Sequence, residues 1–364
     1  MLLKNINEIS IDRAINEFRS GRSIVIKAKK ENWIFFPLEY VDKKLLKEIS
    51  NKSLSKVFVY ITKNKFYSLF RKSLKNKKVV AIHITQKEIG KLQSANLREL
   101  SFLTKKTIKI NSLTKCPQFI NDIINLAKNA KINPSLIGCK INSKMINHST
   151  MIFDYSKLKN QENLIAHSTK FLTQSRIPLA KDHKAKIMVY KSFIGGLEHV
   201  VIKIGSPKIQ NTVNVRIQSA CFTGEVFHSM KCDCYEQLHQ SINYISKNKG
   251  GFILHLEQEG RGIGLVNKIK AYKLQDQGMN TYTADSSMGF LEEERDFTIA
   301  AIILKDLGVK KVNLITNNHQ KIKILKNNKI IINKQIPTYP IINKFNFDYL
   351  SSKVNKSKYK ILVK

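Results

Sequence analysis

The sequence has 364 residues, of which 42% are hydrophobic and 25% are charged, and 63 Lys and Arg against 27 Asp and Glu give a formal net charge of +36. This is the composition of a globular protein, and the length allows two domains that each bury a core. No apolar run approaches the roughly 18 residues that a membrane span requires, so neither a span nor a membrane partner is expected.

The amino terminus and the cysteines indicate the compartment. Residues 1–8 contain no sustained apolar stretch ahead of a small-residue cleavage site, so secretion is not expected and a cytoplasmic protein is predicted. The five cysteines would stay reduced there. Reduced thiols favour metal binding or catalysis over disulfide formation.

The charge suggests nucleic acid at first, because clustered Lys and Arg bind phosphates. Its distribution argues against that partner: residues 257–306 contain nine acidic and six basic residues, a net charge of −3. The excess Lys elsewhere accompanies abundant Asn and Ile, and no basic stripe is interleaved with aromatic residues. No specific nucleic-acid partner is expected.

In the N-terminal half, predicted helices and strands alternate, as is typical of an α/β domain. Ser10 is predicted as the N-cap of a helix over residues 11–18, which ends at Gly21. A strand is predicted at residues 23–27, and apolar residues at helical spacing predict a helix over 119–127.

The pattern changes towards the C-terminal half. Residues 155–180 favour a helix that crosses into a second domain, with the boundary near residue 170. Residues 186–190 and 198–204 then read as paired strands joined by a glycine-containing loop, and residues 214–218 as a further strand.

Three cysteines lie within fourteen residues of one another, and the last of these strands leads to the first of them: Cys221, Cys232 and Cys234. The second and third precede an amphipathic helix, whose dipole favours thiolates. Three protein ligands are how catalytic zinc is held, with one position left for water. From spacing alone, three small buried residues are an equally good interpretation. A fourth ligand for a closed structural site could come from His228, His239 or His255.

Glycines at every second position follow a predicted strand at residues 250–256: Gly260, Gly262 and Gly264. Their spacing is not that of a dinucleotide-binding fingerprint. A glycine loop that opens a helix can bring backbone N–H groups and the charges of Arg261 and Lys268 close to phosphates. Taken alone, the pattern favours a simple tight turn.

In combination, these pieces closely resemble GTP cyclohydrolase II, from about residue 172 to the end. The resemblance rests on motifs in a fixed order that include Cys221, Cys232-Asp-Cys234, Gln258-Glu-Gly-Arg261, Asn267-Lys268, Ala271-Tyr272, Glu294-Arg-Asp-Phe297 and Leu314-Ile-Thr-Asn-Asn318. Several motifs in order are more specific than any one of them, and they favour zinc at the cysteines.

The resemblance implies a zinc-dependent hydrolysis of GTP, the first step of riboflavin biosynthesis. Zn²⁺ on the three cysteines would activate a water against the guanine imidazole carbon, which leaves as formate. Mg²⁺ would accompany the triphosphate, and Tyr272 would assist proton movement. The residues implied in GTP binding are Arg216, Ser219, Gln237, Glu259, Gly260, Arg261, Thr281, Thr316 and Lys321.

Loss of pyrophosphate is implied to need Arg295 as a nucleophile, activated by the acid two residues earlier. That acid is Glu293 here, where the family usually has Asp. An arginine is a poor nucleophile, so a role in stabilising charge on the α-phosphorus stays open. The chain also departs from the family pattern at Gln218 and Ala220, where the family favours His and Glu.

The N-terminal half resembles a shortened 3,4-dihydroxy-2-butanone 4-phosphate synthase, over residues 18–26 and 120–140. That reaction needs carboxylate oxygens for magnesium and a proton-transfer group. Lys27 and Lys140 stand where the family has acids, and Cys116-Pro-Gln118 replaces its His-Thr-Glu motif. An inactive domain is therefore predicted.

Together these interpretations predict an α/β protein of two domains, each a mixed sheet with flanking helices. Residues 1–170 would form the degenerate synthase-like domain and residues 171–364 the GTP cyclohydrolase II domain. A homodimer is expected, as is usual in the family. The alternative function is a zinc-stabilised basic protein that binds nucleotide or nucleic acid without turnover.

Overall fold

A computed structural model describes residues 5–347 and 351, except for 55, 73, 75–76, 84–112, 115, 143–145 and 147–149. The described chain forms two compact units. The first comprises residues of 1–161 and 266–294, and the second comprises residues of 162–265 and 295–364. This grouping differs from a single boundary at residue 170, because 266–294 packs with the first unit.

Helices and strands alternate along most of the described chain. The helices are α1 (Ile6–Arg19), α2 (Lys43–Lys52), α3 (Lys63–Phe70), α4 (Ile120–Asn129), α5 (Gln161–His167), α6 (Phe222–Glu225), α7 (Cys234–Lys247), α8 (Leu265–Gln275), α9 (Thr281–Met288), α10 (Thr298–Asp306) and α11 (His319–Asn327). Among the described residues, none of these helices combines the length and apolarity needed to cross a membrane.

In the part of the chain that the structure describes, the strands form two sheets of seven. They are β1 (Ile24–Ala28), β2 (Glu31–Pro37), β3 (Phe58–Thr62), β4 (Val79–His83), β5 (Leu113–Thr114), β6 (Ser135–Ile141), β7 (Met151–Asp154), β8 (Thr169–Arg176), β9 (Lys186–Ser192), β10 (Leu197–Ile204), β11 (Val213–Ser219), β12 (Gly251–Leu256), β13 (Lys311–Ile315) and β14 (Ile331–Ile336).

The first unit contains a sheet in the order β5-β4-β3-β6-β2-β1-β7. Its described pairings are antiparallel except that of β1 with β7. Apolar side chains on one face, such as Val25, Val59 and Ile137, pack on α2 and α3 in one core.

Helix α1 begins earlier than predicted. Its N-cap is Asn5, whose side chain accepts hydrogen bonds from the N–H groups of Asn7 and Glu8, at 3.0 Å each. Ser10 was the wrong cap: it lies inside the helix, and its hydroxyl donates to the carbonyl of Ile6. The predicted end at Gly21 is confirmed by a φ of 74°.

The second unit contains a sheet in the order β14-β13-β11-β12-β10-β9-β8. Strands β11 to β14 run parallel to one another, while β8, β9 and β10 are antiparallel to their neighbours. Both sheets are therefore mixed, which confirms the predicted fold class. The carboxyl ends of four parallel strands share one edge, where ligands of open α/β sheets usually bind.

The predicted helix at 155–180 is wrong over its second half. Helix α5 ends at His167, and residues Thr169–Arg176 form the edge strand β8, paired antiparallel with β9. Nearly all of β8 is exposed, so its sequence lacks the apolar alternation that marks a half-buried strand. Pairing with β9 decides its conformation.

Alternation along β11 sends its side chains to two different cores. Val215 and Ile217 belong to the larger core with α10 and α11. The opposite face, with Ile253 and Ile315 on the neighbouring strands, packs against α7. Arg216 and Gln218 point to the α7 side and are 3% exposed each, so this strand delivers buried polar groups next to its apolar ones.

Close packing at Gly138 gives a test of the first sheet. Gly138 pairs with Phe35 in β2, and a Cβ at this glycine would lie 2.6 Å from two carbons of the Phe35 ring. We expect Gly138→Ala to lower the free energy of unfolding by about 1–3 kcal/mol, because the buried ring cannot move freely. Urea denaturation measures this loss. Combining it with Phe35→Leu should cost less than the sum of the two changes, and full additivity would contradict the proposed clash.

Candidate active site

The three clustered cysteines lie close together in the second unit. The sulfurs of Cys221, Cys232 and Cys234 are within 4.8 Å of one another, and those of Cys221 and Cys232 are 3.6 Å apart. Tetrahedral coordination with Zn–S bonds of ~2.3 Å would place sulfurs roughly 3.8 Å apart. The donors therefore fit a soft divalent metal ion.

Without a metal ion, burial and the neighbouring thiols oppose ionisation of these cysteines. The hydrogen bond with Cys221 and burial raise the pKa of the Cys232 thiol to about 12. Hydrogen bonds with the other two cysteines and burial raise the pKa of Cys234 as well. A bound divalent ion inverts this effect, because it stabilises all three thiolates at once.

Local backbone holds the thiols in place. Cys221 follows β11 and precedes the short helix α6, while Cys234 is the first residue of α7. A Cβ at Gly224 would lie 2.7 Å from the Cys232 sulfur and 3.1 Å from the Cys221 sulfur. Only glycine leaves room there for the cluster.

Arg216 is the centre of a buried polar network beside the cluster. Its Nε and Nη2 donate to Gln218 Oε1 at 3.0 and 2.7 Å, and its Nη2 also donates to Gln237 Oε1 at 2.6 Å. The Gln237 amide in turn donates to the carboxylate of Asp233, which lies between two cysteines. The predicted residues Arg216 and Gln237 are thus brought together on the α7 side of the sheet.

Glu225 and His255 join this network, although the sequence did not single out the pair. Glu225 Oε1 accepts from Gln218 Nε2 at 2.7 Å, and its Oε2 lies 2.7 Å from His255 Nε2 and accepts from the Cys221 N–H at 3.4 Å. Among the described residues, no histidine belongs to the metal-ligand group, so neither His255 nor the other two candidates completes a closed site. His255 instead supports the carboxylate that holds the backbone of Cys221.

Glu259 and the glycine loop follow β12 at the same edge. The buried Glu259 carboxylate accepts from the Phe222 N–H at 2.6 Å and from the Gly260 N–H at 2.9 Å. Gly260, Arg261 and Gly262 have positive φ angles, which confirms the tight turn. The N–H groups of Gly260, Gly262 and Gly264 already donate within the chain, so they do not form a free phosphate cradle.

Two cations flank a buried aromatic ring at this edge. Arg295 Cζ and Lys321 Nζ lie 5.1 and 5.2 Å from the centre of the Phe297 ring. Arg295 Nη1 also donates to Ser219 Oγ at 3.4 Å, and Lys321 Nζ to the carbonyl of Ile217 at 2.7 Å. The predicted residues Ser219, Arg295 and Lys321 therefore share the end of β11.

Thr316 directly follows β13, and it is 1% exposed. Its hydroxyl accepts from the Asn318 N–H, which lies at the start of α11. The second unit thus contains twelve of the predicted residues: Arg216, Ser219, Cys221, Cys232, Cys234, Gln237, Glu259, Gly260, Arg261, Arg295, Thr316 and Lys321.

The other three predicted residues belong to the first unit, within 266–294. Tyr272 is half-buried on α8, with Lys268 Nζ 5.7 Å from its ring centre. Thr281 is the buried first residue of α9. Glu293 lies after α9, in an irregular segment that ends before α10.

Comparison with known proteins supports one family for the second half. A protein-family profile described as GTP cyclohydrolase II matches residues 170–337. The chain is 47% identical over 180 residues to a GTP cyclohydrolase-2 of Vibrio parahaemolyticus, which covers 49% of this chain and 90% of that relative.

A second relative reaches further towards the amino terminus. The chain is 40% identical over 246 residues to the riboflavin biosynthesis protein RibBA of Staphylococcus saprophyticus, which covers 64% of this chain and 62% of the relative. The aligned part of this chain is longer than the stretch from residue 170 to the end, so the match also includes residues before 170. The crystal structure of RibBX, a two-domain 3,4-dihydroxy-2-butanone 4-phosphate synthase of A. baumannii, is 12% identical and covers 90% of this chain and 99% of that chain, with a TM-score of 0.30.

The His255–Glu225 contact predicts a pH-dependent stability. Burial alone would lower the pKa of His255, but the hydrogen bond to Glu225 and the charges of Glu225, Glu257 and Glu259 outweigh it and raise the pKa. The protonated imidazole therefore stabilises the fold below the unfolded pKa of ~6.5, and this stabilisation is lost as pH rises through the folded value.

We expect the unfolding free energy of metal-free protein to fall more between about pH 6 and pH 9 in the wild type than in His255→Gln. Thermal or urea unfolding at each pH measures the difference. His167→Gln removes an exposed imidazole of the same unit and should follow the wild type. Equal pH dependence in wild type and His255→Gln would contradict the ion pair.

Proposed function

The chain belongs to the GTP cyclohydrolase II family of riboflavin biosynthesis, and from this premise we propose that it uses zinc to hydrolyse GTP to formate, pyrophosphate and a diaminopyrimidinone ribosyl phosphate. The observation that carries the proposal is the thiol cluster at the carboxyl edge of parallel strands. The buried cations Arg216 and Lys321 near this edge suit a nucleoside triphosphate.

The donor set selects the metal in this proposal. Thiolates prefer soft or borderline ions, and three of them fit catalytic zinc better than magnesium or calcium. Zinc held in this way supplies an activated water at neutral pH. Magnesium is proposed only with the triphosphate, because hard oxygen ligands suit it. The cytoplasm, where thiols stay reduced, is the proposed compartment.

The chain's own residues would then bind and orient GTP. Arg216 and Lys321 are held by fixed partners, so their charges are positioned before substrate arrives. Glu259 is suited to the guanine edge, since a carboxylate accepts two N–H donors. In the described conformation its oxygens accept from Phe222 and Gly260, so guanine would share or displace these bonds.

Pyrophosphate loss is proposed at Arg295, with Glu293 as its partner acid. The Arg295 guanidinium lies beside Ser219 and over the Phe297 ring. It would act on the α-phosphorus, as nucleophile or as a charge-stabilising donor. Tyr272 would move a proton at the imidazole carbon. A homodimer is the proposed assembly.

The N-terminal half is proposed to be an inactive synthase-like domain. Lys140 Nζ lies 2.6 Å from Glu31 Oε1 and 5.3 Å from the Trp33 ring centre, so the acid in this region is already paired with a lysine. The Cys116 thiol donates to the carbonyl of Val79. Neither the Lys140 ammonium nor the Cys116 thiol offers the carboxylate oxygens that a magnesium-dependent reaction needs.

A product assay tests the proposed function. Purified protein with GTP, Zn²⁺ and Mg²⁺ is expected to release formate and pyrophosphate. Cys232→Ser should lose bound zinc and reduce both products by at least about 10²-fold, because two thiolates hold the ion weakly. Cys139→Ser is the matched control, since Cys139 is a buried cysteine of the first unit. Protein that binds GTP with metal present yet releases neither product would favour the alternative of a binding protein without turnover.

A second assay tests the inactive half. The full chain with ribulose 5-phosphate and Mg²⁺ is expected to release no formate above background, because Lys27 and Lys140 replace acids. Formate measured without GTP would overturn this proposal. Pyrophosphate distinguishes the sources, since only GTP can release it.

A further inference from the structure

The segment of residues 266–294 is built into the first unit at both of its ends. Near its start, Asn267 Nδ2 donates to the carbonyl of Lys131 at 2.9 Å, and Lys270 Nζ lies 2.7 Å from Glu39 Oε2. Asn267 is 1% exposed, so its contact belongs to the interior. This end is joined to residues of the synthase-like half.

The far end is held through its backbone. Thr62 Oγ1 donates to the carbonyl of Gly289 at 2.8 Å, and Asn64 Nδ2 donates to that of Phe290 at 3.2 Å. Gly289 has a φ of 101°, and a Cβ there would lie 3.0 Å from Thr62 Oγ1. Side chains at the start of α3 thus hold the backbone that directly follows α9.

The last residue of the segment, Glu294, forms an ion pair with helix α4. Lys128 Nζ of α4 lies 2.6 Å from Glu294 Oε1, and the two side chains are only 14% and 13% exposed. The same carboxylate oxygen accepts from the Leu291 N–H at 2.7 Å. Glu294 therefore fixes both its own turn and the contact with α4.

Glu294 stands between Glu293 and Arg295 in the sequence. These are the residues to which the proposed function assigns pyrophosphate loss. Since the backbone on either side of Glu294 follows its side chain, a displaced Glu294 displaces both neighbours. Shifts of about 1 Å can cost on the order of 10² in rate.

We propose that Lys128 is a positioning residue for the GTP cyclohydrolase reaction, so that the synthase-like half holds the catalytic segment through the Lys128–Glu294 ion pair. This inference rests on the proposed function. In this proposal the inactive half positions the catalytic segment through packing and hydrogen bonds alone. An exposed ion pair would be too weak for it, but this one is largely shielded from water.

Three variants of the full chain test the proposal. Lys128→Met removes the ammonium and keeps the aliphatic stem, and Glu294→Gln removes the charge while it keeps an oxygen for the Leu291 N–H. Lys128→Arg restores the charge. The control is Lys140→Met, which breaks an exposed ion pair of the same 2.6 Å length in the same unit.

We expect Lys128→Met and Glu294→Gln each to lower kcat by about tenfold with KM for GTP unchanged within about twofold. The double variant should be no worse than either single one, and Lys128→Arg should recover most of the rate. Zinc content should not change. Hydrogen exchange of residues 289–296 should rise in both single variants and stay at the wild-type level in Lys140→Met.

The outcomes separate the two proposals. A wild type without turnover would overturn the proposed function, and exchange would still decide whether the pair anchors the segment. An active wild type with unchanged kcat in Lys128→Met would overturn the positioning role alone. A parallel loss in Lys140→Met, or no recovery by Lys128→Arg, would indicate general destabilisation and also overturn it.

Discussion

Three thiols within 4.8 Å of one another cannot all ionise without a cation, and the second unit is arranged around this constraint. The sulfurs come from both ends of a short segment, so its backbone has to fold back on itself. Gly224 leaves the space, while Glu225 and Glu259 accept from the N–H groups of Cys221 and Phe222. These two carboxylates thus fix the loop that carries the ligands.

The same constraint explains why the polar network is so extensive. Carboxylates that support a thiolate site add negative charge, and buried charges need partners. His255 on β12 contacts Glu225, and Arg216 on β11 donates hydrogen bonds to Gln218 and Gln237. Parallel strands deliver these side chains to one edge, which is why residues distant in sequence form one site.

The cysteine cluster and the tight glycine turn could be predicted because their residues are close together in the sequence. The cysteine spacing, the glycine loop and the ordered motifs are all patterns that the sequence itself contains. The His255–Glu225 pair was not, because its members lie 30 residues apart and a lone histidine has many ordinary roles. Likewise Ser10 and Asn5 are equally good caps by type, and only the geometry of α1 chose Asn5. The exposed strand β8 carries no alternation to predict it from.

The membership of residues 266–294 in the first unit was also beyond sequence patterns, because it depends on contacts between residues more than a hundred positions apart. It changes what the N-terminal half has to do. A synthase needs carboxylates at fixed positions, and this sequence has Lys27 and Lys140 at two positions where the resemblance predicts acids. Holding a segment needs only donors and a packed surface, which Thr62, Asn64 and Lys128 supply without any catalytic group. Under the proposed function, a synthase-like fold without synthase activity would therefore still constrain the geometry of the cyclohydrolase segment.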